Sequence, residues 1–359
     1  MIKSYQKYIL RTYLKSFFKI TAIFFILILI LNIFEEISYF KDTGVKLYIP
    51  LMLNFLNAPS ILYNIFPFIF LISSQYFFLN LIEKNELIIF KSIGLENLKF
   101  IYFLSLISLT VGVLIILLFY NISSKLKFVY LDLKNDYASD NKYLAVINEN
   151  GLWIRDEMNG NINIISAEKI EKKFLKNVVI TQFDKDFNLN KYIYTKVVNA
   201  ENNSWFIQSA KITKSGVRSF TKNNFFFETN FNSEKINNLF SNLESFTLWN
   251  LYKLRKDYNE IGYSTSDIDI HLQKLYSFPI YVTIMTILSA VLMLNIKHNK
   301  PKGFYLLLGI LLSVFIFYIN HLANILGESN KLPINLSIWL PHVLLSFIIG
   351  IGLVRINEK

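Results

Sequence analysis

The stretch FIYFLSLISLTVGVLIILLFYNISS, from Phe100 to Ser124, contains 25 residues and no charged side chain. The hydrocarbon core of a bilayer is about 30 Å thick, and a helix needs about 20 residues to cross it. Because lipid offers the backbone no hydrogen-bond partner, a single segment that crosses it must be helical. This stretch therefore predicts a transmembrane helix, and with it a membrane protein.

Five further apolar runs resemble this one. The first, Ile20–Phe34, follows Lys15 and Lys19, whose ammonium groups can reach the lipid headgroups. The other four contain no Asp, Glu, Lys or Arg: Leu47–Ile82, Leu275–Ile296, Gly303–Gly327 and Leu332–Val354. With their flanking residues, all six runs are long enough for one crossing each. The sequence therefore predicts six transmembrane helices.

The longest of these runs exceeds the length of one span and contains Pro50, Pro59 and Pro67. Proline removes a backbone donor and tends to interrupt a helix. We therefore expect Pro50–Asn57 to form a separate interfacial piece, followed by a span over about 61–82.

Lysine and arginine near the spans predict the orientation of the chain. Five basic residues and no acidic one precede the first span, and Lys297, Lys300 and Lys302 lie between the fourth and fifth. These segments, both termini and the loop after the second span are expected in the cytoplasm. Together they contain 13 basic and four acidic residues, so they supply most of the net charge of +11. The basic balance is thus explained by topology, and no nucleic-acid partner is expected.

The polar region 125–271 lies between the third and fourth spans, which places it outside the cytoplasm after three crossings. Apolar runs of strand length alternate there with turn sequences such as Asn150-Gly151 and Asn159-Gly160. The runs are YLAVINENGLWIRD (143–156), NINIIS (161–166), NVVITQF (177–183), KYIYTKVV (191–198), SWFIQSAKIT (204–213) and NFFFETNF (224–231).

Six or more short strands at this spacing predict a sandwich, a jelly roll or an open barrel. Trp153 and Trp205 are expected in its core, and the charged stretch KIEKKFLK (169–176) is expected on a solvated strand-and-turn surface. The apolar spacing over Ser245–Ile261 predicts an amphipathic helix that Gly262 ends.

The segment Glu83–Gly94, EKNELIIFKSIG, lies between the second and third spans and is therefore expected in the cytoplasm. If it is helical, Glu86, Ile89, Phe90 and Ile93 share one face. A carboxylate on an apolar face is costly to bury unless a cation pairs with it. Two interpretations follow: an interfacial helix with a solvated Glu86, or a coupling helix that docks into a cytoplasmic partner with Phe90 in a groove.

The chain lacks the G-x-x-x-x-G-K-[ST] sequence that cradles nucleotide phosphates. Ion-driven carriers usually place charged residues inside their spans, whereas here His321 and His342 are the only ionisable groups there. We expect both histidines to be hydrogen-bonded packing residues. A permease that hydrolyses nothing must take its energy from a separate ATPase or from an ion gradient, and the lack of charged residues inside the spans favours the ATPase.

No residue pattern indicates catalysis, a metal site or a cofactor. The sequence contains no cysteine, which excludes disulfides and thiolate metal sites. Asp267 and Asp269 lie near His271, but no further acidic residue or histidine accompanies them. No nucleophile and base stand at a recognisable spacing.

Four stretches carry a resemblance to one known family: YILRTYLKSF (8–17), EKNELIIFKSIGL (83–95), NGLWIRDEMNGNINI (150–164) and HLQKLYSFPI (271–280). Their order and spacing resemble those of the lipopolysaccharide export permeases LptF and LptG (YjgP/YjgQ), over essentially the whole chain. LPINLSIWLPHVLLSF (332–347) and the GLW-R-D stretch resemble LptG more than LptF.

The resemblance implies a non-enzymatic permease subunit in the inner membrane of a Gram-negative bacterium, with cytoplasmic termini and a periplasmic β-jelly roll. In this family LptF and LptG form a heterodimer that holds two copies of the ATPase LptB. ATP-driven closure expels lipopolysaccharide from the cavity between the two six-helix bundles. The jelly rolls, with LptC and then LptA, form the bridge that the lipid follows.

The resemblance also assigns roles to residues. Glu86 matches the coupling-helix acid that pairs with an arginine of the ATPase. Lys41, and with it Lys46, matches lysines that face the lipid phosphates at the outer end of the first helix. Glu35 and Glu36 depart from that pattern and add negative charge there.

The expected domains are 1–124 with the coupling helix at 83–94, the β-jelly-roll-like domain 125–271 with its closing amphipathic helices, and 272–359 with the last three spans. Three alternatives stay open: the LptF paralogue, a membrane-anchored enzyme acting on envelope glycolipids, and a sensor. An enzyme would need paired carboxylates or a metal cluster, and a sensor would need a cytoplasmic output domain. The sequence contains neither feature.

Overall fold

The structure is a computed structural model that describes residues 4–41, 45–136, 152–158, 160–171, 173–185, 187–214, 219–233, 235–236, 242–260, 264–295, 302–329 and 331–357. Its helices are α1 (Ser4–Tyr39), α2 (Tyr48–Glu83), α3 (Glu86–Ser92), α4 (Asn97–Leu114), α5 (Asn121–Asp136), α6 (Leu248–Glu260), α7 (Ser266–Leu294), α8 (Lys302–Glu328) and α9 (Ile334–Asn357). Its strands are β1 (Leu152–Met158), β2 (Asn161–Glu171), β3 (Phe174–Phe183), β4 (Leu189–Asn199), β5 (Ser204–Lys214) and β6 (Phe220–Glu228).

Six helices within the described residues are long and apolar enough to cross a membrane, as the sequence predicts. Five of them are α1, α2, α7, α8 and α9. The sixth runs continuously from α4 into α5 over Asn97–Lys134. The six helices differ in burial. The apolar segments of α2 and α7 are the most buried, and those of α1 and α8 are the most exposed.

The second span corrects one prediction. Residues 48–83 form a single 36-residue helix, with Pro59 and Pro67 inside it. The separate interfacial piece expected at Pro50–Asn57 is therefore wrong. A transmembrane helix can continue through a proline because neighbouring helices and side chains satisfy the backbone groups that the proline leaves unpaired.

The third span contains a feature that the sequence pattern does not predict. A π-helical segment, Ile115–Tyr120, joins α4 to α5. One turn before it, Gly112 allows a close approach to α7, since a Cβ there would lie 2.8 Å from Val282 Cγ2 and 3.0 Å from Pro279 Cα. A side chain at this position would push the two helices apart.

A buried polar cluster joins four helices of the bundle. Tyr13 of α1 is fully buried, and its hydroxyl lies 2.9 Å from Ser108 Oγ, 3.3 Å from Ser74 Oγ and 3.4 Å from Thr286 Oγ1. The ring of Phe77 meets the Tyr13 ring edge-on at 5.6 Å. In an apolar medium these mutual hydrogen bonds specify which faces of α1, α2, α4 and α7 meet.

The strands form one antiparallel sheet in sequence order, β1-β2-β3-β4-β5-β6. A row of isoleucines crosses five strands through the pairs Ile154↔Ile165, Ile165↔Ile180, Ile180↔Ile193 and Ile193↔Ile212. All five are buried, so one face of the sheet forms its core. A jelly roll requires two sheets with Greek-key connections, and the described strands do not confirm that part of the prediction.

The two tryptophans of the sheet differ in environment. Trp205 is fully buried and donates from Nε1 to the carbonyl oxygen of Phe231 at 2.7 Å, as a core residue should. Trp153 is 61% exposed, so its predicted core position is wrong. Successive strand residues face opposite sides, and Leu152 and Ile154 occupy the buried side on either side of it.

The chain divides into two compact units. One contains residues 1–130, 244–251 and 266–359, and is the helical bundle. The other contains residues 131–243 and 252–265, and includes the sheet. The expected limits at 124/125 and 271/272 remain predictions.

Candidate functional site

The predicted coupling helix is present as α3, a short helix between α2 and α4. Glu86 lies in its first turn and Lys91 in its last, which suits the helix dipole. At its end, the N–H of Gly94 donates to the Lys91 carbonyl and the N–H of Leu95 donates to the Phe90 carbonyl, both at 3.0 Å. This is a Schellman motif, and Gly94 supplies the left-handed backbone, with φ +82°, that the motif requires.

Phe90 faces the interior of the bundle. It is 9% exposed, and its ring lies 6.2 Å from the ring of Tyr8 and 5.9 Å from that of Phe100. The expectation that Phe90 inserts into a groove of a partner does not fit this placement. A helix of seven residues that lies against a bundle has one inward side, and Phe90 is its anchor there.

Three isoleucines form the outward side of α3 and its C-terminal cap. Ile88, Ile89 and Ile93 are 65%, 57% and 61% exposed. Ile89 and Ile93 belong to the predicted coupling face. Ile88 does not, because that face is drawn through the positions three, four and seven residues after Glu86. If Phe90 is taken as the residue that faces the bundle, Ile88 is predicted to face outward, because residues two positions apart lie on nearly opposite sides of a helix. We call these three residues the isoleucine surface.

Glu86 lies half-buried beside Tyr8, at the start of α1. The Tyr8 hydroxyl donates a 2.8 Å hydrogen bond to Glu86 Oε2. A hydroxyl donor is neutral, so the charge of the carboxylate remains, and its second oxygen can still accept from a cation. The bond links α3 directly to the first span.

The two predicted headgroup lysines lie at the connection between α1 and α2. Lys41 follows the last turn of α1 and Lys46 precedes α2, and both are exposed. Glu36 was expected to add negative charge near them. It is instead 2% exposed and accepts a 2.8 Å hydrogen bond from the hydroxyl of Tyr130, whereas Glu35 is exposed.

The two histidines of the spans also differ from each other. His321 is exposed and its ring is parallel to that of Phe317, with centroids 6.2 Å apart. His342 is 5% exposed, and neither of its ring nitrogens makes a well-formed hydrogen bond within the described chain. The Ile338 carbonyl one turn earlier interacts with the ring, which also packs against Tyr281 at 4.8 Å between ring centroids, so the packing role expected of His342 is present while its hydrogen bonding is incomplete.

Other polar groups support the architecture of the bundle. The ring Nε2 of His271 lies 2.8 Å from the hydroxyl of Tyr120, which also donates to the carbonyl oxygen of Phe246 at 3.0 Å. Glu244 accepts hydrogen bonds from Ser60 Oγ at 2.9 Å and Asn64 Nδ2 at 3.0 Å. Across the ranges that the structure describes, no three acidic or histidine side chains are grouped as a metal site.

The comparison with protein-family models gives one match, which spans almost the whole chain. Residues 7–355 match the family described as lipopolysaccharide export system permease LptF/LptG. A search of curated protein sequences gives no match. The matched region includes α3, all six apolar helices and the described sheet. The chain therefore belongs to the LptF/LptG family of lipopolysaccharide export permeases, which are multi-pass proteins of the inner membrane.

Proposed function

We propose that this chain is the LptG-like permease subunit of an ATP-driven exporter that extracts lipopolysaccharide from the inner membrane. The observation that carries the proposal is the exposed isoleucine surface of α3, with the carboxylate of Glu86 at its edge. The family supports the transported substrate but does not distinguish LptG from LptF. The last span, residues 332–347, favours LptG by its resemblance.

The isoleucine surface suits a protein partner better than solvent. Three large apolar side chains are exposed on and beside a helix of only seven residues. Apolar residues at the centre of a patch and a charge at its rim are typical of a specific interface. Glu86 would then form a charge-assisted hydrogen bond with an arginine of an LptB-like ATPase.

Tyr8 and Phe90 have a positioning role in this proposal. Phe90 fixes the inward side of α3 through its contacts with the rings of Tyr8 and Phe100. The Tyr8 hydroxyl holds one oxygen of Glu86 and leaves the other for the partner. A movement of the docked ATPase would therefore be transmitted to the first span through the Glu86–Tyr8 hydrogen bond as well as through the backbone.

The proposed orientation places α3 and both termini in the cytoplasm and the β domain in the periplasm. It follows from the basic residues that flank the spans. The partners would be an LptF-like paralogue, two LptB-like ATPase subunits, and LptC-like and LptA-like bridge proteins. ATP hydrolysis would occur in the ATPase subunits, and this chain would need no cofactor.

Lys41 and Lys46 are proposed contacts for the anionic headgroup of the substrate. Both ammonium groups are exposed where α1 and α2 are joined. A lysine is a compact point charge that suits a phosphate in a wet site. Glu36 is buried and hydrogen-bonded to Tyr130, so of the two acids it is Glu35 that is exposed at this end of α1.

The test is Glu86→Ala in the tagged full chain, purified gently from its native membrane. We expect the yield of co-purified ATPase to fall tenfold or more, because removing one partner of a desolvated charge pair costs about 2–5 kcal/mol. The matched control is Glu96→Ala, which removes an exposed acid between α3 and α4 that forms a 3.0 Å ion pair with exposed Lys99. Normal ATPase binding and normal export in Glu86→Ala would refute the coupling role.

A further inference from the structure

A cavity of about 170 Å³ lies within the helical bundle, between α2, α7, α8 and α9. Aromatic rings and uncharged polar side chains line it together. The residues that bear on its chemistry are Tyr63, Asn64, Phe317, Asn320, Asn324 and His342. Pockets that enclose a whole drug-sized ligand have about 300–1,000 Å³, so this cavity suits one group of a larger ligand.

His342 is the clearest indication of a ligand. It lines the cavity and is 5% exposed, and neither ring nitrogen makes a well-formed hydrogen bond in the described chain, although the Ile338 carbonyl one turn earlier interacts with the ring. A buried polar group without a partner costs free energy, and proteins rarely retain one without a reason. A ring that can donate from one nitrogen and accept at the other would complete its bonds with a hydroxyl group.

Two amides on the cavity wall are already oriented. The Nδ2 group of Asn320 donates to the Ile316 carbonyl at 3.0 Å and approaches the Tyr281 hydroxyl at 3.4 Å. The Nδ2 group of Asn64 donates to Glu244 Oε1 at 3.0 Å. Because these bonds use the NH₂ groups, each amide oxygen remains as an acceptor.

The charge of the cavity argues against an anionic ligand. Lys274 is the lysine among the described lining residues, which also include His321, and its Nζ lies 3.3 Å from Glu328 Oε1. A phosphate would need a cation that is not already neutralised. Histidine, asparagine and tyrosine side chains instead offer uncharged donors and acceptors, together with aromatic faces.

We propose that this cavity takes an uncharged, hydroxyl-bearing ring: a sugar unit of the exported amphiphile. The proposal rests on the proposed function, because it assigns a part of the lipopolysaccharide to a part of the permease. In α8 and α9 the lining residues come from the half of each helix nearer the connection between them. In α7 they lie between Lys274 and Tyr281, and Lys274 reaches Glu328 at the end of α8. In the proposed orientation that half lies in the outer leaflet, where sugar headgroups reside.

The experiment is photo-crosslinking of lipopolysaccharide to the full chain in its native membrane, with its partners present. Benzoylphenylalanine replaces Phe317, which lines the cavity. The matched control places the same probe at Leu311, which is 71% exposed on the same helix and does not line the cavity. The measurement is the amount of lipopolysaccharide adduct formed at each position.

We expect His342→Leu and Asn324→Leu to lower the adduct at position 317 at least fivefold and to leave the adduct at 311 unchanged. His342→Gln keeps a donor and an acceptor, so it should restore at least half of the signal. An enzymatically dephosphorylated lipid should still crosslink at 317, because the site recognises hydroxyl groups.

Four results would overturn the proposal. An unchanged adduct at 317 in both leucine variants would mean that the cavity does not hold the sugar. If the unmodified lipid crosslinks at 317 and the dephosphorylated lipid does not, the cavity binds a phosphate group and not a sugar. Absence of lipopolysaccharide adducts at both 317 and 311 would refute the proposed function together with this inference, whereas adducts at 311 alone would refute only the inference.

Discussion

Two buried polar clusters in the same helical bundle satisfy their polar atoms in opposite ways. The Tyr13 hydroxyl lies within 2.9–3.4 Å of three hydroxyl groups from three other helices. Around His342, a buried ring with no well-formed hydrogen bond in the described chain faces a cavity of about 170 Å³. The first cluster is complete without a ligand, and the second is not.

The difference separates a structural role from a binding role. A fully satisfied polar cluster in an apolar medium strengthens itself and specifies one arrangement of helices. A half-satisfied cluster weakens the fold unless something else completes it. Stability should therefore depend strongly on Tyr13 and hardly at all on His342.

The largest expected effect is that of Tyr13→Ala. Removing a fully buried aromatic ring leaves a cavity and should lower the free energy of unfolding by about 3–5 kcal/mol. The measurement is a denaturing-detergent titration of the purified chain. The control is Tyr102→Ala, which removes a tyrosine that is 70% exposed on the same bundle. A loss below about 1 kcal/mol for Tyr13→Ala would contradict the structural role of this cluster.

Gly112→Ala tests the close helix contact one turn from Ser108. The added methyl group would lie within 3.0 Å of Pro279 Cα and Val282, so overpacking should cost about 1–3 kcal/mol. Gly350→Ala is the matched control, because no atom lies within 4 Å of the point that its methyl group would occupy and alanine favours a helix by up to about 1 kcal/mol. Equal unfolding midpoints for the two variants would show that α4 and α7 do not touch there.

Tyr13→Phe isolates the hydroxyl group from the ring. Hydrogen bonds between transmembrane helices contribute about 0.6 kcal/mol on average, with about 1.7 kcal/mol as an upper value. The effect should be of that size, because Ser74 and Thr286 retain their bonds to the carbonyls of Phe70 and Val282. A change above about 3 kcal/mol in the same titration would show that the whole cluster collapses when its central donor is lost.

His342→Leu should have the smallest effect on stability. Leucine removes two nitrogen atoms that lack good partners and keeps an apolar side chain in place, so the unfolding free energy should change by less than about 0.5 kcal/mol or rise. The same variant should show reduced lipopolysaccharide crosslinking at position 317. A loss of stability comparable with that of Tyr13→Ala would contradict the proposed difference, a structural role for the Tyr13 cluster and a binding role for the His342 cluster.

Much of the architecture could be predicted from hydropathy. The six apolar helices, the strands and the short helix after the second span all follow from the period of apolar residues and the turn sequences between them. The errors on α3 and at Trp153 share a cause. Phe90 and Ile88 are both apolar, and so are Trp153 and its neighbours, so the pattern could not tell which side of each element faces the core.

The number of possible membrane crossings can be read from the sequence, because each crossing depends on a local count of uncharged residues. The sequence also places a carboxylate and isoleucines together in one short segment, since they are neighbours along the chain. Which polar groups bond to one another depends on how the helices pack in three dimensions. Tyr13 meets Ser108 and Thr286 across 95 and 273 positions, and His342 meets no such partner in the described bundle. A helix in lipid satisfies its own backbone, so its sequence leaves open which distant side chains it will meet.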